Sequence, residues 1–176
     1  HKGARDWRKL FDFLDKSLGG ETISSALDLG GGTGNLAYYF LRRDESADAI
    51  TVDTNEGLLS GAALRHKNMR TLKHDINRAL PFNDNSFDFV SCIGTLHYYY
   101  ISDPQKAFSE MKRVSKKYIL IDFFLKNSPY NFFQSIRHPN FIARKYTRGQ
   151  VTKMIKNLEL RTVSQRGARM TIPLIQ

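Results

Sequence analysis

Apolar positions along the chain switch repeatedly between two spacings. Trp7, Leu10, Phe11, Leu14 and Leu18 recur every three or four residues, which predicts an amphipathic helix that Gly19-Gly20 stops. Short apolar runs follow, each with the length and bounds of a strand: Ser24–Leu29, Ala49–Asp53, Met69–His74, Phe87–Ile93 and Tyr118–Phe123. Helical spacing returns between them, over Gly34–Arg43, Asn55–His66 and the stretch from Asp103-Pro104 to Val114. Asp103 is the residue type that caps a helix and Pro104 the type that begins one. Thr147-Arg-Gly-Gln150 has the form of a capping box, followed by Val151, Met154, Ile155 and Leu158 at helical spacing. Leu160–Ser164 and Met170–Ile175 read as two last strands, and the short link Arg166-Gly167-Ala168 makes them an antiparallel hairpin.

Alternating strands and helices predict an α/β fold, a doubly wound, mostly parallel sheet with helices on both faces. No repeat or long linker interrupts it, so residues 1–176 read as a single domain with an N-terminal helix over 1–20. In such a sheet ligands bind beyond the carboxyl ends of the strands, where strand order reverses. The turn after strand one, Asp53, Asp75 and the segment Ile93–Tyr100 all follow strand ends, so they should meet at one edge.

The turn after strand one carries the strongest chemical signal. Ala26-Leu-Asp-Leu-Gly-Gly-Gly-Thr-Gly-Asn35 places Gly30, Gly32 and Gly34 alternately behind Asp28. Glycine admits positive φ and lets backbone approach a ligand, and the helix beyond presents free N–H groups. A dinucleotide site asks for G-x-G-x-x-G, and counting from Gly30 the last position is Asn35. Asp53 follows Gly34 by 19 residues. A carboxylate there can accept bonds from both hydroxyls of a ribose, in either class of nucleotide.

These pieces together resemble the class I S-adenosylmethionine-dependent methyltransferases. The resemblance rests on Ala26–Gly34, Val52-Asp53, His74-Asp75-Ile76, Leu80-Pro-Phe-Asn-Asp-Asn-Ser-Phe-Asp-Phe-Val90, Gly94-Thr-Leu-His-Tyr98 and the helix Pro104–Val114, covering about residues 22–123. It implies a Rossmann-like seven-stranded sheet with an antiparallel last strand, and S-adenosylmethionine as cofactor. By the same implication Gly30, Gly31, Gly32 and Gly34 line the methionine part. Asp28 orients that loop or reaches the cofactor amino group through water. Asp53 and Thr54 hold the ribose, Asp75 meets the adenine amino group with Ile76 against the ring, and Ile93 and Gly94 lie beside the methionine. The chain departs from many relatives in lacking a Pro-Gly-Gly turn before strand five, where Arg113-Val-Ser-Lys-Lys117 runs straight in. The Asn-Pro-Pro-Tyr type of signature for base methylation is absent after strand four.

His97 and Tyr98-Tyr99-Tyr100 follow strand four, where an acceptor would meet the methyl group. His97 or Tyr98 is the candidate base, the alternative being ordinary packing of the loop and rim. Asp88 precedes a buried strand and reads as structural, and Cys92 as core. No set of metal ligands is expected. Leu125–Tyr146 mixes Tyr130, Phe132, Phe133, Phe141 and Tyr146 with Lys126, Arg137, Arg144 and Lys145. That pattern suits a lid over the acceptor, a surface for stacked bases, or a packed insertion.

Charge changes the picture of the acceptor. Residues 1–99 hold 12 Lys+Arg against 13 Asp+Glu, whereas 100–176 hold 15 against 4. A basic half attracts anions. The resemblance and the short region after strand five imply methyl transfer to a small-molecule acceptor, and the charge adds an anionic one to the candidates. The alternatives are a tRNA or rRNA methyltransferase and a non-catalytic cofactor-binding subunit. A single cysteine and the lack of a signal peptide or membrane-length apolar run lead us to expect a reducing, cytoplasmic setting.

Overall fold

A computed structural model describes residues 7–98, 100–128, 136, 143–164 and 169–175. The chain order is α1 (Trp7–Leu18), β1 (Ser25–Leu29), α2 (Asn35–Arg43), β2 (Asp48–Asp53), α3 (Glu56–Arg65), β3 (Arg70–Lys73), β4 (Phe87–Cys92), α4 (Pro104–Val114), β5 (Ser115–Phe124), α5 (Arg148–Asn157), β6 (Arg161–Thr162) and β7 (Arg169–Ile175). The sheet runs β3-β2-β1-β4-β5-β7-β6. The pairs β1–β2, β1–β4, β2–β3 and β4–β5 are parallel, and β7 lies antiparallel to both β5 and β6. Strand order therefore reverses between β1 and β4.

The two-residue period of the strands divides the core into two layers. Leu27 and Leu29 of β1, Val90 and Cys92 of β4, and Ile119 and Ile121 of β5 pack with Phe108 and Met111 of α4 and with Val151 and Ile155 of α5. Ala26, Phe89, Tyr118 and Leu120 turn the other way, onto Leu10 and Leu14 of α1 and Leu36 and Phe40 of α2. A third cluster seals α2 and α3 onto β2 through Leu41, Ala62, Ala49 and Met69. Cys92 is fully buried in this core, and burial pushes its thiol well above the ordinary range.

The helix starts follow the local chemistry. The Asp103 side chain accepts from the N–H groups of Gln105 and Lys106 ahead of Pro104, and Thr147 and Gln150 form the reciprocal capping box. Asn55 caps α3 by accepting from the Leu58 N–H at 3.1 Å. Three boundaries differ from expectation. β5 begins at Ser115, directly after α4, because Asn85 and Ser86 donate to the Arg113 and Val114 carbonyls and draw the chain into the sheet at once. β3 is short and its residues are mostly exposed, as suits an edge strand, and β6 pairs over only two residues. The hairpin link at Arg166-Gly167-Ala168 and most of the Leu125–Tyr146 stretch, including Tyr130, Phe132, Phe133, Arg137 and Phe141, lie outside the described residues.

Candidate functional site

The reversal of strand order opens a cavity of about 400 Å³ at the carboxyl edge of the sheet, within the size range of small-molecule sites. Gly30 and Gly32 line it from the turn after β1. Asp53, Thr54, Asn55 and Leu58 come from β2 and the start of α3. His74, Asp75 and Ile76 follow β3, and Gly94, Thr95, Tyr98 and Tyr100 follow β4. The four features expected at one edge do meet there.

The glycine turn is held in place by close packing. Gly30 sits at φ +62°, and a Cβ on it would overlap the Thr95 side chain. Gly34 begins α2 at φ +71°, where a Cβ would come within 2.5 Å of Met69 Sδ and 2.9 Å of Thr51 Oγ1. Gly34 therefore serves the close approach of α2 to β2, behind the cavity and not in its wall. Gly31 also stands back from the cavity, donating to the Val52 carbonyl at 3.1 Å.

Asp53 is the hinge of the site. Its Oδ2 accepts from the Gly32 N–H at 3.0 Å and its Oδ1 from the Asn55 N–H at 2.9 Å. One carboxylate thus ties the glycine turn to the cap of α3, and its remaining lone pairs can accept from a ligand. Asp75 is fixed in a different way. Asn77 donates to its Oδ1 twice, from the backbone N–H at 2.9 Å and the side-chain amide at 2.8 Å. Ile76 adds an apolar surface to the same lining. The Tyr98 and Tyr100 rings stack, with centroids 5.3 Å apart and planes at 15°. Tyr100 is 62% exposed, and partial desolvation first, then the neighbouring Tyr98 and the charge of Asp53, push its phenol up to about 12. It stays protonated at neutral pH and can donate a hydrogen bond.

Three further residues named from the sequence lie behind the wall. Asp28 is buried, accepts from Ser91 Oγ at 2.8 Å, and presses against Gly31 where a Cβ would stand. Ile93 belongs to the core under α1 and α2. His97 is only 3% exposed, its ring packed 4.4 Å from Tyr98 and 4.2 Å from Phe124, and it does not line the cavity. Packing against two aromatic rings accounts for its inward turn.

Sequence reasoning passed over Asn55 and Leu58, although the Asn55 cap signal was readable. It also passed over Asp122, which is buried on β5 and accepts from the Gly94 N–H at 2.7 Å. That contact joins residues 28 positions apart and leaves no local pattern. Among the described residues, two carboxylates and no Lys or Arg line the cavity. The site is therefore poor for a pyrophosphate, and good for a cation or for a ligand rich in N–H and O–H donors. Among the described residues there is no cluster of three or more metal-ligating side chains.

Comparison with known proteins agrees with this geometry. Residues 27–119 match the family model described as a methyltransferase domain. The chain is 32% identical over 112 residues to the demethylmenaquinone methyltransferase of Renibacterium salmoninarum, covering 64% of this chain and 44% of the relative. It is 40% identical over 68 residues to a ubiquinone/menaquinone biosynthesis C-methyltransferase of Dinoroseobacter shibae, covering 35% and 27% of the two chains. It thus spans less than half the length of these curated relatives. Among solved structures, the magnesium protoporphyrin IX methyltransferase of Synechocystis with bound SAH shares the fold at TM-score 0.76 and 14% identity, over 97% of this chain and 83% of that one. The YcgJ protein of Bacillus subtilis does so at TM-score 0.70 and 21% identity, over 90% and 72%. With the family model matching more than half of its residues, the chain belongs to the methyltransferase domain family.

Proposed function

We propose that the chain, acting as one domain, binds S-adenosylmethionine in this cavity and transfers its methyl group to a small-molecule acceptor. The observation that carries the reading is that Asp53, Asp75 and the apolar Ile76 line one cavity beside the backbone of Gly30, Gly32 and Gly94, with no basic side chain among the described lining residues. That set fits the cofactor. A ribose offers two hydroxyl donors to Asp53, adenine offers an amino donor to Asp75 and a flat face to Ile76, and a sulfonium is welcome in a negative field.

Bound there, the cofactor supplies an electrophilic methyl group on a cationic sulfur. The residues of the chain align the partners and need no covalent help. Asp53, already fixed by Gly32 and Asn55, orients the ribose, while Gly30, Gly32 and Gly94 bring backbone up to the methionine part. Alignment of this kind supplies roughly 7–11 kcal/mol of a bimolecular barrier. The faces of Tyr98 and Tyr100 favour a nearby cation by about 0.5–2 kcal/mol. Tyr100, held protonated, acts as a donor toward the acceptor and not as its base. The buried His97 positions Tyr98 by packing.

The quinone and porphyrin methyltransferases among the relatives support a small acceptor. The basic excess of residues 100–176 favours an anionic one, and it also supports RNA as the competing reading. Among the described residues no helix is long and apolar enough to cross a membrane. Calorimetry with S-adenosylmethionine and S-adenosylhomocysteine tests the cofactor, and absence of heat with both on folded protein refutes the proposal. Product mass spectra over acceptor pools then test transfer. Tight cofactor binding with no turnover in any pool marks a non-catalytic subunit, and turnover of RNA with a steep salt slope replaces the small acceptor.

A further inference from the structure

Asn77 does not line the cavity, yet it is the point at which two of the cavity's walls are joined. Its backbone N–H and its Nδ2 both donate to Asp75 Oδ1. The same Nδ2 donates to the Tyr100 carbonyl at 3.1 Å. Its Oδ1 accepts from the Ser102 N–H at 2.8 Å and from Ser102 Oγ at 3.0 Å. One side-chain amide thus uses its donors on the acid loop after β3 and on the tyrosine loop after β4, and its acceptor on the latter. The loops are 23 residues apart in sequence at Asn77 and Tyr100.

We propose that Asn77 is a positioning residue that sets nucleobase recognition in this site. It fixes the Asp75 carboxylate through Oδ1 and leaves Oδ2 for an amino donor of the ligand. It also ties the loop that carries Tyr98 and Tyr100 to the acid loop, through the Tyr100 carbonyl and Ser102. Recognition of the base and closure of the aromatic wall are then one mechanical unit. The inference rests on the cofactor reading above and goes further, since it assigns the selectivity to a residue outside the cavity. No other side chain of this size replaces the amide. Alanine removes the side-chain contacts to both loops and keeps only the backbone N–H bond to Asp75. Aspartate keeps the shape but loses the two amide hydrogens, and it sets a second carboxylate against Asp75.

That last substitution separates positioning from general support of the fold. Two carboxylates in one site share a proton, and the pKa of one is pushed up. The protonated form can donate to Asp75 Oδ1 again, and the ionised form cannot. In Asn77→Asp, affinity for S-adenosylhomocysteine should therefore be weak at pH 8 and recover toward pH 5.5, while the parent chain changes little over the same range.

The test is calorimetric titration of S-adenosylhomocysteine into the parent chain, Asn77→Ala, Asn77→Asp, Asp75→Ala and the double variant Asp75→Ala/Asn77→Ala, each checked for folding by circular dichroism. Asn77→Ala should weaken binding about tenfold in the presence of Asp75, the scale of a lost hydrogen bond to a charged group. It should weaken binding less than about twofold once Asp75 is gone. Equal losses in both backgrounds, or an Asn77→Asp affinity that does not recover at low pH, would overturn the inference. Should Asn77→Ala fail to fold, the pH profile of Asn77→Asp decides alone. If the parent chain itself does not bind, it is the cofactor reading that fails, and the two failures cannot be confused.

Discussion

The two ends of the sheet use the same acidic residue types in opposite ways. At the amino end Asp84, Asp88 and Glu110 are engaged by groups of the protein. Asp88 accepts from the backbone N–H groups of Ser24 and Ser25 at 3.0 and 3.2 Å. Arg113 spans the loop before β4, binding Glu110 through Nε and Nη2, Asp84 through Nη1, and the carbonyls of Phe82 and Leu80. At the carboxyl end, among the described residues, Asp53 and Asp75 accept from neutral amides, and no guanidinium or ammonium lines the cavity beside them. Around Arg113, where the sheet is held, charge is neutralised, and around the cavity it is left in place. A paired charge contributes to folding, whereas one anchored by amides keeps its field and lone pairs for something else.

Substitutions at the two ends should therefore split cleanly between binding and stability. Asp53→Ala should weaken S-adenosylhomocysteine binding about hundredfold or more, since it removes two ligand acceptors and the tie to Gly32. The freed N–H groups can reach water, so its melting temperature should change little. A variant that keeps parent affinity in calorimetry would place the ribose elsewhere and break the contrast. Arg113→Ala should do the reverse. It takes the guanidinium donor from two carboxylates and two carbonyls, leaving Glu110 only the Leu80 N–H, at a cost of about 2–3 kcal/mol in chemical denaturation. Its cofactor affinity should stay within about threefold of the parent. Asp88→Ala should behave likewise on a smaller scale, losing about 1 kcal/mol because two backbone donors are released near solvent.

The same contrast marks what could be read in the sequence. Local signals were legible. Asp103-Pro104 and Thr147–Gln150 announced their helices, and the apolar runs of β1, β2 and β4 were bounded to within one residue. The Gly30–Gly34 turn and the acids ending β2 and following β3 could be assigned to one edge from topology alone. Contacts closed over long separations were not legible: Asp122 to Gly94, Asn77 to Tyr100, and Arg113 to the Leu80 and Phe82 carbonyls. Nothing in the residues near Asn77 says that its amide will meet a loop that arrives after another strand. His97 shows the converse, since its surroundings too come from a distant strand. A lone histidine in a loop past a strand end suggests a base, but Phe124 of a different strand supplies the aromatic surface that draws it inward.

The smallest expected effect is one of pH, and it sharpens the comparison because it belongs to the amino end alone. The bond from Arg113 holds the Glu110 carboxyl below its ordinary value of 4.5, against the opposing effect of burial and with help from the Leu80 N–H. A carboxyl whose folded value is depressed adds stability above its unfolded value, and that stability disappears as pH falls through the folded value. The melting temperature of the parent should thus begin to drop below about pH 4.5, as protonated Glu110 releases Arg113. In Glu110→Gln the starting temperature should be slightly lower and the acid-side slope shallower, since the titrating partner is gone. Arg113→Ala should flatten the slope in the same way, because the depression has lost its cause. If both variants keep the parent's slope, the guanidinium brace is not what acid dissolves. The division of labour between the two ends of the sheet would then have to be drawn from some other group.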